Sequence, residues 1–260
     1  MRRYKPKTLV VLGLMTPGIA LGATQWRLGN QASFYQGDYG TGHTINIFYD
    51  ATFLRYRRNR LKLKLTIPYE SVSGLPEGSA VTGGGSVARS SGQQTTTHSA
   101  SGLGDIWVSG RYALVPVTRH HLGFDAYSKV KLATASHSDG LGTGRNDYEI
   151  GGGVNGYLAP NGYPFADLGY RFVGSPPNLH LNNIVTYDAG YAYQATSRNV
   201  VTAMFTGHQA EQSGESAPAD LVFAWNYRVS AVGGLQLFVD KGLTNGSPDY
   251  GIGAGAHLDF

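Results

Sequence analysis

Ionisable side chains recur at alternate positions in several otherwise apolar stretches of the chain. Lys62 and Lys64 interrupt a run of leucines, and Lys129 and Lys131 repeat the arrangement farther along. Such groups must pair with one another or meet water, because an unpaired charge in an apolar interior is costly. Rows of charge along a water-containing passage tune the permeation of solutes. The predicted lining of such a passage is Lys62, Lys64, Asp105, Arg111, Asp125, Lys129, Lys131, Glu149, Asp167, Arg171, Asp188, Asp220, Arg228 and Asp240.

The order of these charges along the chain leaves two interpretations open. Many of the cations come early, whereas Asp188, Asp220, Asp240 and Asp259 come late. Cations on one wall and carboxylates on the other would place a transverse field across a narrow pore. Alternatively, the groups satisfy one another inside a plugged interior. Because the predicted lining sums to nearly zero charge, we expect weak ion selectivity.

A second cluster, Ser136-His137-Ser138-Asp139, contains the residue types of a hydrolase. The four residues are consecutive in a predicted loop, and a catalytic triad is defined by geometry rather than by adjacency. Glycine-rich segments at 37–42 and 140–144 lack the lysine and the helix of a phosphate-binding loop. The eight histidines show no metal-ligand spacing. We therefore predict no catalytic residue, no metal and no cofactor.

Composition excludes several other classes of function. The net charge of +4 comes entirely from Arg2, Arg3, Lys5 and Lys7, so no basic surface for nucleic acid is expected in the remainder. The absence of cysteine excludes disulfides, thiolate metal sites and a thiol nucleophile.

The first 23 residues have the layout of a secretory signal peptide. A basic start, an apolar run over 8–20 and small residues at 20–23 follow in order. The apolar run is too short for a membrane span, which needs roughly 20 residues. Cleavage after Gly22 and after Ala23 are equally consistent with the pattern, and a retained anchor helix is the alternative. Export implies the secretion machinery as a partner.

The remainder alternates with period two, which is typical of strands with one apolar face. Over 61–69, leucine, isoleucine and tyrosine face one way and Lys62, Lys64 and Thr66 face the other. No helical stretch is predicted after the signal. Twelve strands are predicted near 25–36, 44–57, 60–70, 103–115, 121–134, 147–158, 162–173, 183–194, 199–208, 219–229, 233–242 and 248–260.

Loop lengths distinguish a transmembrane barrel from a soluble sandwich. Longer connections alternate with tight turns such as 58–59 and 159–161, as in barrels with long external loops and short periplasmic turns. The longest connection, 71–102, is rich in Gly, Ser and Thr, which favours disorder, although the segment could also fold into the barrel mouth. The fold predicted for 24–260 is therefore an all-β, antiparallel up-and-down transmembrane barrel of about twelve strands.

The faces opposite the predicted lining are expected to contact lipid, because only a closed barrel satisfies every strand's backbone within a bilayer. These apolar faces include Ile45, Ile47, Tyr49, Phe53, Ile106, Val108, Tyr112, Leu114, Leu168, Tyr170, Phe172, Val185, Tyr187, Ala189, Tyr191 and Tyr193.

The last strand alternates through Tyr250, Ile252, Gly255 and Leu258 and stops at Phe260. A terminal aromatic closing an alternating strand resembles the signal that the bacterial barrel-assembly machinery recognises. The alternative is a soluble edge strand that ends in Phe by chance. The signal implies the outer membrane, with its lipid and lipopolysaccharide, as the destination.

Three short motifs carry a family resemblance. They are Gly102-Leu-Gly-Asp105, Lys131-Leu-Ala-Thr-Ala135, and Gly140-Leu-Gly-Thr-Gly144 followed by Asp147-Tyr148. Their order and spacing resemble the outer-membrane barrel family associated with the MetA pathway of phenol degradation, in which Leu-Pro-Thr-Gly usually follows the lysine. The early segment 37–40 and the terminal Phe260 are similar as well. The resemblance implies a passive channel for small molecules, with aromatic or hydrophobic compounds among them.

The main hypothesis is thus a passive outer-membrane channel for small solutes. The second hypothesis is a non-conducting barrel that stabilises the membrane or binds a partner through its loops. A barrel hydrolase is the third.

Overall fold

The computed structural model describes residues 25–83, 85–89, 96–177 and 179–260, and the predicted signal peptide lies outside these ranges. No helix long and apolar enough to cross a membrane occurs in the described ranges. The strands are β1 (Gln25–Gly37), β2 (Ile45–Arg58), β3 (Leu61–Pro76), β4 (Ala80–Gly83), β5 (Ser86–Ala88), β6 (Thr97–Leu103), β7 (Ile106–Val115), β8 (Gly123–Leu132), β9 (Asp147–Asn155), β10 (Gly162–Phe172), β11 (Ile184–Gln194), β12 (Asn199–His208), β13 (Ala219–Arg228), β14 (Gly233–Gly242) and β15 (Tyr250–Asp259).

Antiparallel pairing closes the sheet into a barrel. Each strand from β7 to β15 pairs with the next, β15 pairs with β1, and β1–β2–β3–β7 completes the circle. Strand β6 also pairs with β3, so β6 and β7 together form one wall strand that is interrupted at Gly104 and Asp105. The prediction of an all-β, twelve-stranded antiparallel barrel is confirmed.

The two ends of the barrel differ in their connections. One end, here called the short-turn end, carries both termini of the described barrel. The other, the long-loop end, carries the longer segments. The short-turn end has connections 59–60, 116–122, 156–161, 195–198 and 229–232, and the long-loop end has 38–44, 77–96, 133–146, 173–183, 209–218 and 243–249.

Residues 71–102 differ most from their prediction. Their first six residues extend β3, and 97–102 belong to β6. Between them, β4 and β5 form a two-stranded hairpin whose residues Ala80, Val81 and Ala88 are at most 2% exposed. Composition alone favoured disorder here; the described part of the segment is folded because its few apolar residues are buried.

The outer surface of the barrel is apolar. Large side chains such as Ile150, Leu168 and Phe223 are half exposed or more on outward-facing positions. A belt of this kind would be costly in water and is favourable in hydrocarbon. The barrel is therefore built to span a bilayer.

The face predicted for the second strand is wrong. Ile45, Ile47, Tyr49 and Phe53 were expected on the lipid side, yet they pair with the inward positions of β1, and Ile45 and Ile47 are fully buried. The more apolar face of β2 points inward near the long-loop end because the interior there is filled by protein, and the outward face carries Asn46 and Asp50. Periodicity alone consequently cannot decide which face of this strand is outside.

The inside–outside alternation predicts different effects for two adjacent substitutions at the centre of β14. Leu237 is 50% exposed on the outer face, and Gln236 faces inward, where its amide donates to Asn226 Oδ1 at 3.1 Å. We expect Leu237→Arg to destabilise the barrel by about 2–4 kcal/mol, since it places a charge in lipid, and Gln236→Arg to cost much less. Urea titrations of the two variants in lipid vesicles measure the difference. A larger loss for Gln236→Arg would show that the faces are exchanged.

Candidate functional site: the barrel interior

The side chains predicted to line the passage lie on the inner face of the wall. Strand pairing places the charged positions of β3, β7, β8, β9, β10, β11, β13 and β14 on the same face, opposite the apolar belt. Asp105 lies in the interruption between β6 and β7 and is 4% exposed.

Arg111 on β7 holds two carboxylates of neighbouring strands. Its guanidinium contacts Asp125 on β8 and donates from Nη2 to Asp167 Oδ2 on β10 at 2.7 Å. Asn155 donates to the second oxygen of Asp125 at 3.2 Å. This cluster connects β7, β8 and β10 through side chains, in addition to the backbone pairing of the wall.

A second cluster surrounds Glu149 on β9, whose side chain is fully buried. Lys129 Nζ lies 2.8 Å from Glu149 Oε1, and Arg171 Nε lies 2.9 Å from Oε2. The Thr186 hydroxyl donates to Oε1 at 3.3 Å. Two cations thus share one buried carboxylate on the inner face of the wall.

A third cluster is centred on Lys131, which is fully buried near the long-loop end. Its Nζ lies 3.0 Å from Asp147 Oδ2 and 3.4 Å from Asp105 Oδ2. Asp105 also accepts the backbone N–H groups of Thr134 and Ala135, at 3.1 and 3.0 Å. Lys131, Asp105 and Asp147 all belong to the motifs that carry the family resemblance. Those motifs therefore meet in one buried ion-pair cluster.

These clusters bear on the two interpretations of the interior charges. The four cations Arg111, Lys129, Lys131 and Arg171 are each within 3.4 Å of a carboxylate on the wall. They do not face the carboxylates of the far wall across an open pore. On this wall the structure follows the alternative interpretation, in which the groups satisfy one another. Asp188, on β11, accepts a hydrogen bond from Thr206.

Three interior cations were missing from the prediction. Arg55 and Arg57 were missed because the face of β2 was assigned wrongly, and Arg27 lies on the inner face at the start of β1. Together with Lys62 and Lys64, these residues line one side of the interior near the short-turn end. A cavity of about 400 Å³ opens there, lined by Arg27, Arg55, Arg57, Lys62, Arg198, Arg228, His257 and Asp259 among others.

The hairpin β4–β5 lies inside the long-loop end. A Cβ on Gly85 would lie 3.1 Å from the Tyr35 ring of β1, and one on Gly83 would lie 3.6 Å from the Trp107 indole of β7. Because β1 and β7 are separated by two other strands, an element that touches the inner faces of both must occupy the interior.

Other loops at the long-loop end hold this hairpin in place. The Val81 N–H donates to Gly140 O at 2.8 Å. Arg89 donates to Gly40 O and forms an ion pair with Glu215, while its backbone exchanges two 2.7 Å hydrogen bonds with the side chain of Gln212. The hairpin and its loops therefore form a plug at the long-loop end.

The candidate hydrolase cluster does not form a Ser-His-Asp chain. Ser136 donates to Asp139 Oδ2 at 2.6 Å, but His137 Nδ1 lies 3.3 Å from the carbonyl oxygen of Gly142. In the described ranges, no group of three or more His, Asp and Glu side chains could hold a metal ion.

The terminal strand lies beside β1. Tyr250, Ile252, Leu258 and Phe260 are exposed on the outer face, whereas Gly255 faces inward. Phe260 exchanges backbone hydrogen bonds of 2.9 Å with Trp26. The last residue is therefore part of the seam that closes the barrel.

Comparison with known proteins supports the architecture. No protein-family model matches the chain, and no curated protein matches it in sequence. Among solved structures, it resembles the COG4313 outer membrane channel from Pseudomonas putida F1, with 15% identity over 97% of this chain and 100% of that chain and a TM-score of 0.69. The KdgM porin in complex with disordered oligogalacturonate is 8% identical over 90% and 99%, with a TM-score of 0.57. The NanC porin is 10% identical over 89% and 98%, also with a TM-score of 0.57. At these identities the likeness establishes the fold, which is that of outer-membrane channels and porins.

Proposed function

We propose that this chain is a bacterial outer-membrane channel through which small solutes diffuse passively. The observation that carries the proposal is the closed barrel with an apolar outer belt and an ionisable interior that retains a cavity at one end. A barrel with a purely structural role needs the belt but gains nothing from an open, charged cavity. The fold shared with channels and porins supports the same function.

Localisation follows from the same features. We propose that residues 1–23 direct export by the secretion machinery and are removed. The barrel of 24–260 is then inserted by the barrel-assembly machinery, with Tyr250, Ile252, Gly255, Leu258 and Phe260 as the recognition signal. The lipid of the outer membrane surrounds the belt, and lipopolysaccharide surrounds the long-loop end, which carries 71–102. No nucleic acid, metal or cofactor takes part, and no catalytic residue is proposed.

The solute class of the family resemblance, aromatic or hydrophobic small molecules, rests on the sequence motifs alone. The motif residues Asp105, Lys131 and Asp147 form a buried ion-pair cluster rather than a solute site. We therefore propose membership of the family associated with the MetA pathway as a hypothesis about origin and not about substrate.

The plug favours a second candidate function, a non-conducting barrel whose loops bind a partner or whose wall stabilises the membrane. The hairpin and the loops around it fill the long-loop end with buried apolar residues such as Val81 and Leu141. Planar-bilayer recordings of the purified, unmodified protein distinguish the two functions. Discrete current steps support the channel, and normal insertion without current supports the second candidate.

Orientation can be tested by cysteine labelling, since the chain has no cysteine of its own. Ser213 is exposed at the long-loop end and Asn161 is exposed in a short turn. In intact cells, an impermeant maleimide should label Ser213→Cys, and Asn161→Cys should react only after the outer membrane is permeabilised. The reverse pattern would place the short turns outside.

A further inference from the structure

Positively charged side chains lie at directly opposed positions on neighbouring strands near the short-turn end. Arg27 pairs with Arg55, which pairs with Lys64 on the next strand. Two residues farther along β2, Arg57 pairs with Lys62, which in turn pairs with Arg111 on β7. Side chains at directly opposed positions have Cβ atoms only about 4.5–5.5 Å apart, and like charges there are destabilising. The opposed pairs Arg27–Arg55, Arg55–Lys64 and Arg57–Lys62 therefore cost stability. Arg111, at the end of the second row, is held by Asp125 and Asp167.

The cavity beside these rows is strongly cationic. Its lining includes six Arg and Lys side chains and a single side-chain carboxylate, that of Asp259. The cations are Arg27, Arg55, Arg57, Lys62, Arg198 and Arg228. The clusters around Arg111, Glu149 and Lys131 contain more carboxylates than cations. With five carboxylates and four cations, these clusters are close to neutral. The cavity at the short-turn end, called the vestibule, is instead strongly positive.

Neighbouring groups hold several of these cations in place. Asp259 accepts hydrogen bonds from Arg27 Nε and Nη2, at 2.5 and 2.8 Å. Arg57 donates a hydrogen bond to Gln25 Oε1. On the inner face, the Phe53 ring lies 4.9 Å from Lys64 Nζ and 5.7 Å from Arg55 Cζ. Contacts of this kind with an aromatic face orient a cation without neutralising its charge.

We propose that the vestibule binds small oxyanions, carboxylates or phosphates, and thereby makes the channel prefer anions. Guanidinium groups donate paired hydrogen bonds that match the geometry of both kinds of anion. An anion in the vestibule would offset the repulsion between the two rows. The proposal rests on the proposed channel function for its role in permeation, and binding itself can be measured without conduction.

The test is the reversal potential of single channels in a KCl gradient. The unmodified protein should pass chloride in preference to potassium. Replacing the vestibule residue Arg55 together with its neighbour on β3, as Arg55→Gln with Lys64→Gln, should lower the chloride-to-potassium permeability ratio about threefold at 0.1 M salt. The effect should shrink at 1 M, where the Debye length is about 3 Å. The matched control is Arg58→Gln with Arg60→Gln, which removes two exposed charges at the same end but outside the interior. The control should change the ratio little.

The anion class is tested by adding benzoate or inorganic phosphate on the vestibule side. Each should reduce the chloride current of the unmodified protein and of the Arg58/Arg60 control, and neither should do so in the Arg55/Lys64 variant. Reduction by only one of them would identify which oxyanion the vestibule accepts. A conducting protein with no chloride preference, whose selectivity ignores the double replacement, would overturn the inference and leave the channel function intact.

Binding without current is measured by calorimetry in detergent micelles. If the unmodified protein conducts nothing, the proposed channel function fails, and titration with benzoate and phosphate then decides the inference separately. Heat of binding that is lost in the Arg55/Lys64 variant and kept in the Arg58/Arg60 control supports an anion site. No heat with either anion overturns it.

Discussion

Replacing residues 79–89 by a short Gly-Ser linker should raise the single-channel conductance several-fold. The hairpin touches the inner faces of β1 and β7 and occupies the long-loop end of the interior. Its removal leaves a twelve-stranded wall, which lies between filled eight-stranded barrels and open porins of sixteen strands or more. Single-channel recordings of the variant and of the unmodified protein measure the change.

A point substitution separates loss of the plug from damage to the barrel. Val81 is 1% exposed within the apolar cluster that joins the hairpin to β2 and β3. Val81→Asp places a charge in this cluster and should release the hairpin, so frequent large openings are expected. Val81→Thr, which has the same size and no charge, should stay close to the unmodified protein. An unchanged conductance in both the linker variant and Val81→Asp would show that the hairpin does not limit permeation.

Lys131→Met should lower the free energy of unfolding by about 3–5 kcal/mol, because it leaves buried carboxylates without their cation. The Lys131 side chain is fully buried between Asp105 and Asp147. Its Nζ also lies 3.4 Å from the Thr143 hydroxyl, so the lysine connects β8, β9 and the loop between them. Urea titration in lipid vesicles measures the loss.

Lys129→Met is the matched control for this substitution. Lys129 is 27% exposed, and Arg171 remains bound to Glu149 when the lysine is removed. The control should therefore cost clearly less than Lys131→Met. Equal losses for the two variants would show that burial of the Lys131 cluster does not determine its importance.

The sequence predicted the wall of the barrel well because strand periodicity and turn residues are local signals. The predicted span 199–208 coincides with β12, and 233–242 coincides with β14. The face of β2 was wrong because the more apolar of its two faces points inward. Which of them is buried depends on the hairpin, which lies far along the chain, so no local pattern contains that information.

The candidate site was harder to predict for the same reason. Alternation identified the inward charges of β3 and β7–β14, but pairing across strands decides which of them are neutralised. Lys62 and Lys129 are both alternating lysines in the sequence, yet Lys62 lies opposite Arg57 and Lys129 lies opposite Glu149. The expectation of weak selectivity came from a total charge near zero. The structure separates balanced clusters from a cationic vestibule, so the total does not describe the permeation path.

The most direct test of the central claim, that the barrel interior is the path of permeation, is modification of a single cysteine in an open channel. Gln31 faces the interior at the middle of β1, and its neighbour Ala32 faces outward. Current through Gln31→Cys should fall in steps when a small thiol-reactive reagent is added, while current through Ala32→Cys stays constant. A current that is insensitive to complete modification at Gln31→Cys, or an inserted barrel that carries no current, would contradict the account.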